Sequence, residues 1–279
     1  MSRTSNSSLT HKLRRISQTP TTFSNWPALL SNMALEGVGR GGDVLHFQAR
    51  SGLRIDSPNV PGARVPVYEI FAEDCYHLEW FLGELLHQPI QVVDIGAHIG
   101  TFACRLGQLN TQARIDCFEP SPTTASFLRR NVEQNGMAAR ITVHEAAVAA
   151  KSGFAELDDN GGGSGLNGLV SAGHSSGRAS TRVTAVAFDE AWAELASPPS
   201  VVKIDCEGGE YDLVYGSSPE LWDSVRRVVL EYHSVPGETW AKLRSWFEDR
   251  GLHVVEELAG TMDGLGSAWL SRDPIAPRR

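Results

Sequence analysis

The chain has 279 residues, of which 41% are hydrophobic, with a formal net charge of −8 and a pI near 5.6. This length allows one large α/β domain, or one domain with a small appendage, to bury a full core. Because the acidic balance comes without a long block of lysine or arginine, a protein that grips nucleic acid by its phosphate backbone is disfavoured. No nucleic-acid partner is therefore expected.

Cysteine usage and the N-terminus indicate the compartment. The cysteines lie far apart and form no C-x-x-C pair: Cys75, Cys104, Cys117 and Cys206. Such spacing predicts buried reduced thiols, not a zinc site or a disulfide framework. The polar, basic N-terminus is followed by no apolar segment, and no apolar run is long enough to cross a bilayer. We expect a cytoplasmic protein without a membrane partner.

The N-terminal region divides in two. Residues 1–22 are rich in Ser, Thr and Asn and offer little apolar surface to offset ordering entropy, which predicts a disordered or docked tail. Residues 23–73 contain a short helical pattern over 26–34 and two strand-like runs, 44–49 and 53–57. This region is interpreted as an N-terminal appendage with a helix and a hairpin.

Residues 74–279 are predicted to form the main domain. Apolar spacing indicates a helix over 74–87, with Asp74 as its N-cap. Short apolar runs then alternate with amphipathic segments, at 90–95, 114–118, 141–144, 201–204 and 228–230. Such runs are typical of strands buried on both faces of a parallel sheet, connected through helices. Two further runs, 252–258 and 264–270, predict a closing hairpin.

One stretch interrupts this alternation. Residues 158–180 hold seven glycines and almost no core-forming side chains. A loop of this length and composition is typical of a mobile segment or a lid. We expect it, with the appendage, to shape a substrate pocket.

The sharpest local signal follows the first strand of the alternation. Asp94 ends the strand, Gly96 and Gly100 follow, and a helix is predicted to start near Thr101. Gly96 permits a tight turn, and a helix N-terminus offers free N–H groups. The next strand ends at Glu119, where an acid in an open α/β sheet is placed to bind ribose hydroxyls.

The glycine spacing helps to separate two nucleotide cofactors. Dinucleotide-binding turns carry G-x-G-x-x-G, whereas this turn is Gly-x-x-x-Gly preceded by an acid. The Asp94 carboxylate would lie where a pyrophosphate places negative charge. A cofactor with an amine and a sulfonium suits that acid better, which favours S-adenosylmethionine over NAD. An NAD-dependent oxidoreductase stays an alternative, as does a plain strand-to-helix turn.

Four sequence blocks, taken in order, carry a family resemblance. They are Asp94-Ile-Gly-Ala-x-x-Gly-Thr-Phe; Phe118-Glu-Pro-x-Pro with Leu128 and Asn131-x-x-x-Asn135; Lys203-Ile-Asp-Cys-Glu-Gly-Gly-Glu210; and Leu230-Glu-Tyr-His233. Over roughly residues 65–270 the chain resembles the FkbM family of S-adenosylmethionine-dependent methyltransferases. The resemblance implies a class I methyltransferase fold of α/β type, with a seven-stranded, mostly parallel, Rossmann-like sheet, helices on both faces and an antiparallel last strand.

The same resemblance implies an activity and a cofactor site. It implies methyl transfer from S-adenosylmethionine to a hydroxyl of a small molecule, commonly a secondary metabolite or a sugar, by a monomer or homodimer. A non-catalytic S-adenosylmethionine-binding protein is the other alternative. The positions that it implies for cofactor binding are Asp94, Gly96, Ala97, Gly100, Thr101, Glu119, Pro120, Ser121, Glu145 and Ala146.

Three side chains near the ends of the fourth and fifth strands are candidate catalytic residues. His233 suits a general base by its ordinary pKa, with Asp205 or Glu231 orienting it. A metal site of the three, for example for Mg²⁺, is a less favoured alternative. A third is a positional role, with catalysis by proximity. Glu210 is interpreted as a helix-start residue, and the role of Glu207 is left open.

Overall fold

The computed structural model describes residues 3–36, 41–60, 62–158, 180–260 and 264–278. Its helices are α1 Arg3–Thr22, α2 Trp26–Glu36, α3 Val65–Phe71, α4 Leu78–Leu82, α5 Thr101–Leu109, α6 Pro122–Gln134, α7 Phe188–Ala193, α8 Glu210–Gly216 and α9 Trp240–Glu248, with 3-10 helices at Gly83–His87 and Pro219–Ser224. Its strands are β1 Val44–Gln48, β2 Arg54–Pro58, β3 Gln91–Ile95, β4 Arg114–Phe118, β5 Ile141–His144, β6 Ala147–Ala149, β7 Gly153–Asp158, β8 Ser180–Ala187, β9 Val201–Ile204, β10 Arg227–Tyr232, β11 His253–Ala259 and β12 Gly266–Ser271. Among the helices described, none is both long and apolar enough to cross a bilayer.

A seven-stranded sheet is the centre of the fold. Its strand order is β11-β12-β10-β9-β3-β4-β5, and β12 runs antiparallel to both of its neighbours while the other pairs are parallel. This confirms the predicted class I methyltransferase fold, including the antiparallel last strand. The strand order reverses where β3 lies between β4 and β9, and such a switch point opens a crevice at the carboxyl ends of the strands.

Helices cover both faces of this sheet. Every residue of β3 and β9 is buried, which agrees with their uninterrupted apolar sequence. Val92 packs into the core on the face of α4, α5 and α6, whereas Val93 packs into the core on the face of α7, α8 and α9. Successive residues of a strand point to opposite faces, so one strand serves two cores.

The N-terminal region packs against the main domain. Residues 3–22, where a tail was predicted, form α1, and Thr19 near its end is buried, with its hydroxyl 2.9 Å from that of Tyr68. The predicted hairpin is present as β1 and β2, paired antiparallel. Phe23, Phe47 and Tyr68 meet edge to face, with ring centroids 5.0 to 6.0 Å apart. The division of the chain at residues 22 and 73 stays a prediction.

The helix predicted to start at Asp74 was placed wrongly. Asp74 and His77 both have left-handed backbone angles, with φ of 47° and 49°, and α4 begins only at Leu78. It ends before Gly83, where the chain tightens into a 3-10 helix. The intervening turn brings Tyr76 to a site that leaves it 8% exposed. Tertiary packing of this aromatic residue thus outweighs the local helical pattern.

A second, three-stranded sheet was not predicted. Strand β8 lies between β6, to which it is parallel, and β7, to which it is antiparallel. Strands β7 and β8 flank the glycine-rich stretch. The lid predicted for residues 158–180 lies, apart from the strand ends Asp158 and Ser180, outside the described residues.

Candidate active site

A cleft opens at the carboxyl ends of β3, β4 and β9. The space between its walls, about 670 Å³, is continuous with solvent. Its walls come from the ends of these strands and from α3, β6 and β7. The lining residues are Pro66, Ile95, Gly96, His98, Phe118, Glu119, Pro120, Ala147, Val148, Leu157, Asp205, Cys206 and Glu207.

The turn after β3 requires glycine at its first position. Gly96 has a φ of 73°, and a Cβ on it would lie 1.7 Å from the carbonyl oxygen of Asp205. The N–H groups of Gly96 and Ala97 both donate to the carbonyl of Phe118, at 3.0 Å. The turn is therefore in close contact with β9 on one side and hydrogen-bonded to β4 on the other.

The second glycine of the turn closes it against a helix. Gly100 has a φ of 81°, and a Cβ on it would lie 2.2 Å from Cδ1 of Leu128 in α6. Thr101 then begins α5 and is buried. Gly100 and Thr101, both predicted to bind cofactor, are not among the residues that line the cleft. Gly96 does line it.

Glu119 ends β4 and is 7% exposed in the cleft wall. Its two carboxylate oxygens accept hydrogen bonds from the backbone N–H groups of His98, at 3.0 Å, and Ser121, at 2.9 Å. Burial raises the pKa of Glu119 to about 7, and these hydrogen bonds work against that rise. Each oxygen keeps a second lone pair for a hydroxyl donor of a ligand.

The residues that follow Glu119 build the adjoining wall. Pro120 lines the cleft, and the Ser121 side chain caps α6 by accepting from the N–H of Thr124. Two other predicted cofactor residues, Glu145 and Ala146, precede the lining residues Ala147 and Val148. The Glu145 carboxylate forms an ion pair with Arg129, at 2.9 Å, with both side chains partly exposed.

Asp94 lies fully buried beneath the turn. The Nζ of Lys203 is 3.3 Å from Asp94 Oδ1 and donates to the carbonyl of Gly96, at 2.6 Å. The contact with Asp94 is an ion pair without hydrogen-bond geometry, so neither Asp94 oxygen accepts a hydrogen bond from the described residues. Burial raises the pKa of Asp94, and the Lys203 ammonium opposes that rise. This carboxylate is thus paired with the Lys203 ammonium beneath the turn and is not among the residues that line the cleft.

The predicted catalytic residues come together beside the cleft. One nitrogen or oxygen atom from each of Asp205, Glu231 and His233 can be chosen so that all three lie within 4.8 Å of one another. They meet because Asp205 follows β9, and Glu231 and His233 lie at the end of the neighbouring parallel strand β10. Asp205 also lies 3.4 Å from the Nζ of Lys203.

The structure adds a residue that the sequence analysis missed. The Tyr76 hydroxyl donates to Glu231 Oε1 at 3.0 Å and lies 3.5 Å from Asp205 Oδ2. Its ring packs edge to face on Phe102, with centroids 5.4 Å apart. Tyr76 belongs to the turn before α4, far from either acid along the chain, and no local motif marks it.

The Asp205 carboxylate perturbs its neighbour Glu231. The Asp205 carboxylate, first, and burial, second, raise the pKa of Glu231 above its ordinary value, while the Lys203 ammonium opposes that rise. Lys203 is itself held charged, because Asp94 and Asp205 raise its pKa despite the opposing effect of burial. A raised carboxyl pKa in a cleft is typical of a group that exchanges protons near neutral pH.

His233 is enclosed by two further glutamates. Its Nδ1 lies 3.2 Å from Glu210 and its Nε2 lies 3.4 Å from Glu207. Burial by itself lowers the pKa of His233, but the hydrogen bond to Glu210 and the surrounding charges raise it to about 9. The imidazole is therefore protonated at neutral pH.

The glutamates around His233 have more definite roles than the sequence indicated. Glu210 is the first residue of α8, but its carboxylate is fully buried and also accepts from the N–H groups of Gly208 and His233. Glu207 lines the cleft, and burial raises its pKa to about 7. Glu210 thus orients His233, and Glu207 faces the ligand space.

Asp205, Glu231 and His233 offer oxygen and imidazole ligands of a kind that divalent cations accept. Three contacts favour an arrangement without metal. Asp205 already neighbours the Lys203 ammonium, and both ring nitrogens of His233 face carboxylates.

Known proteins include a family, and individual sequences and structures, to which this chain is similar. The family model described as "Methyltransferase FkbM domain" matches residues 94–254. The chain is similar to "Methyltransferase 1" of Beauveria bassiana, at 25% identity over 207 residues, which span 68% of this chain and 80% of that protein. It is also similar to "31-O-demethyl-FK506 methyltransferase FkbM" of Streptomyces tacrolimicus, at 26% identity over 240 residues, 74% of this chain and 88% of that protein. A crystal structure of methyltransferase FkbM from Methylobacillus flagellatus KT aligns with a TM-score of 0.48 at 16% identity, over 70% of this chain and 47% of that one.

Proposed function

The chain belongs to the FkbM methyltransferase family, and from this premise we propose that it transfers a methyl group from S-adenosylmethionine to a hydroxyl oxygen of a small molecule, such as a secondary metabolite or a sugar. The observation that carries the proposal is the carboxyl pair of Asp205 and Glu231, bridged by the Tyr76 hydroxyl, with Asp205 in the lining of a cleft that has the features of a nucleoside site. The name of one relative specifies a 31-O-demethyl acceptor, which supports oxygen as the target.

The cleft residues fit the methyl donor. Glu119 presents an anchored carboxylate at the position suited to ribose hydroxyls, and Gly96 leaves the floor of the cleft without a side chain. Asp94 lies beneath the turn, ion-paired with Lys203, and contributes a negative charge close to the cleft. When bound, S-adenosylmethionine supplies a methyl group on a positively charged sulfur, and its C–S bond breaks as the new C–O bond forms.

The acceptor hydroxyl must lose its proton as the C–O bond forms. Glu231 suits this step in its ionised form, because the environment that raises its pKa also makes that carboxylate a stronger base. The O–H bond breaks, the proton passes to the Glu231 carboxylate, and the oxygen keeps the electron pair that forms the bond to carbon. Tyr76 holds Glu231 in place, and Lys203 balances the charge of Asp205. The base is thus oriented toward a reactant held in the same cleft.

His233 is the competing base that the sequence favoured. With Glu210 and Glu207 on its two nitrogens, it is positively charged at neutral pH and has no lone pair to accept a proton. We therefore give His233 a positioning role at the acceptor end of the cleft.

Binding and turnover test the proposal separately. Calorimetry is expected to show binding of S-adenosylmethionine and none of NADH; the reverse result would support the oxidoreductase alternative. Radiolabelled methyl transfer to hydroxyl-bearing compounds in extracts is expected to accompany release of S-adenosylhomocysteine. Donor binding without transfer to any acceptor would instead support a non-catalytic binding protein.

Three variants identify the base. Glu231→Gln is expected to lower kcat by about 10²- to 10⁴-fold, the range typical of general base catalysis. Asp205→Asn should also impair turnover, and His233→Ala should have the smallest effect on kcat. A larger loss in His233→Ala than in Glu231→Gln would return the base role to the histidine. Assays after EDTA treatment, with and without added Mg²⁺, decide the metal alternative: activity that depends on restored Mg²⁺ would contradict the metal-free arrangement.

A further inference from the structure

Two asparagines at the end of α6, Asn131 within the helix and Asn135 as its C-cap, hold the outer edge of the hairpin strand β2. Asn135 accepts a hydrogen bond from the N–H of Arg54, at 3.0 Å, and donates to the carbonyl of the same residue, at 2.7 Å. Asn131 does the same with Asp56, at 2.7 and 2.9 Å. Each side-chain amide therefore pairs with both backbone groups of one strand residue, as a neighbouring strand would.

The spacing of the two asparagines matches that of the strand. Residues four apart on a helix lie on one face and are separated by about 6 Å along the axis. Residues two apart on a strand are separated by about 6.6 Å. Asn131 and Asn135 can therefore serve Asp56 and Arg54 at the same time. The pair closes this edge of the hairpin, and Nε2 of Gln134 donates a second hydrogen bond to the Arg54 carbonyl, at 3.1 Å.

The Oδ1 of Asn131 also accepts from Nε2 of Gln134, at 2.7 Å, and a further contact of Asn131 leads to the donor cleft. Its Nδ2 also donates to the carbonyl of Ile99, at 2.8 Å, inside the turn between Gly96 and Gly100. Leu128, one helical turn earlier, packs against Gly100 of the same turn. The Nδ2 of Asn135 donates instead to the carbonyl of Asn131, at 2.7 Å.

We infer that Asn131 is a positioning residue for the methyl-donor turn, and that through it the N-terminal hairpin supports donor binding. This inference rests on the proposed donor cleft. Asn131 is fully buried, so its loss leaves the carbonyl of Ile99 and the backbone of Asp56 without their partner and with no ready access to water. The turn then has more conformations to lose when the donor binds, which weakens binding.

The two asparagines provide a matched pair of variants. Asn131→Ala and Asn135→Ala each remove two bonds to β2, and both are expected to lower the melting temperature. Asn131→Ala is expected to raise the calorimetric Kd for S-adenosylhomocysteine about tenfold, which corresponds to about 1.4 kcal/mol. Asn135→Ala is expected to leave that Kd within about twofold of wild type. Equal Kd values in the two variants would overturn the inference.

A measurement on wild-type protein serves if Asn131→Ala does not fold. Coupling between two sites is reciprocal, so donor binding should in turn stabilise the contact between Asn131 and the hairpin. Hydrogen exchange at the N–H of Asp56 is expected to slow when S-adenosylhomocysteine is added, and more so than at the N–H of Arg54. Unchanged exchange at the Asp56 N–H with the ligand bound would overturn this inference but not the proposed function. Failure of wild-type protein to bind the ligand at all would overturn the proposed function, and this inference with it.

Discussion

Tyr76 shows how a third chain segment can complete a site built from two strands. Asp205 and Glu231 are adjacent because parallel strands β9 and β10 end at the same sheet edge. The hydroxyl that joins them comes from a turn that packs against α5, where Phe102 supports the ring. Burial leaves this tyrosine neutral, since desolvation and the neighbouring carboxylates raise its pKa well above the ordinary value. It therefore acts as a hydrogen-bond donor to the acids.

Replacing Tyr76 by phenylalanine should impair turnover without impairing the fold. The ring contacts are kept, and the loss is one hydrogen bond to a charged group, worth about 1.5 to 3 kcal/mol. We expect kcat to fall by about tenfold to a hundredfold, with an unchanged Kd for S-adenosylmethionine. The pH dependence of kcat should also shift, because the hydroxyl favours the ionised form of Glu231; a pH series of initial rates measures this.

Tyr232 offers the control for this variant. Its ring is also buried, but its hydroxyl lies 3.3 Å from the Glu257 carboxylate, whereas that of Tyr76 donates to Glu231. Tyr232→Phe should leave kcat and its pH profile close to wild type. Equal losses in the two variants would mean that Tyr76 acts through stability alone.

At the scale of elements, the strands were predictable and the helix boundaries less so. The strands β3, β4, β5 and β9 were found within a residue of their predicted limits because a buried strand needs an uninterrupted apolar run. The start of α4 was predicted wrongly. The left-handed backbone of Asp74 and His77 accompanies the burial of Tyr76, and no local sequence signal marks it. The role of α6 in holding the hairpin depends on side-chain reach between distant segments, which a single sequence does not display.

The N-cap of α6 can be tested by itself. Ser121 accepts from the N–H of Thr124 and is buried beside Glu119. Ser121→Ala is expected to lower the free energy of unfolding by about 1 kcal/mol, as is usual for loss of a capping hydroxyl. Urea titration measures the change, with Ser126→Ala as the control, since that exposed side chain bonds within the helix. An equal effect of the two substitutions would contradict the capping role.

At the scale of the whole molecule, the cleft concentrates groups that bind protons more tightly when the protein is folded. The pKa values of Glu119 and Glu207 are raised from 4.5 to about 7, and that of His233 from 6.5 to about 9. The carboxyl contribution to stability is fully present below pH 4.5 and is lost as the pH rises through 7. The histidine contribution is present below pH 6.5 and is lost as the pH rises through 9.

The ligand-free protein should therefore have a higher melting temperature near pH 6 than near pH 9. Glu207→Gln removes one raised carboxyl and should flatten the decline between about pH 5 and pH 7. Glu194→Gln, on an exposed position, is the matched control and should keep the wild-type slope. Melting curves in a buffer series at constant ionic strength measure these slopes. A melting temperature that rises steadily toward pH 9 would contradict the protonation states assigned to the cleft.

The sequence also located most of the candidate site, for a reason of topology. Asp94, Glu119, Asp205 and Glu231 each lie at or next to the carboxyl end of a buried parallel strand, and such ends meet at one edge. The enclosure of His233 by Glu207 and Glu210 could not be predicted, because it depends on how the turn before α8 folds back, with a left-handed Glu207.

The backbone contact between Gly96 and Asp205 has a consequence for how this enzyme can change. The proposed donor turn and the residue beside the proposed base touch through main-chain atoms, with no side chain between them. The main chain therefore sets the spacing between the proposed donor turn and Asp205, whichever side chains surround them. Pro66 and Leu157, which line the same cleft, come from segments outside the seven-stranded sheet. We expect substitutions in those segments to change acceptor preference while this main-chain contact stays in place.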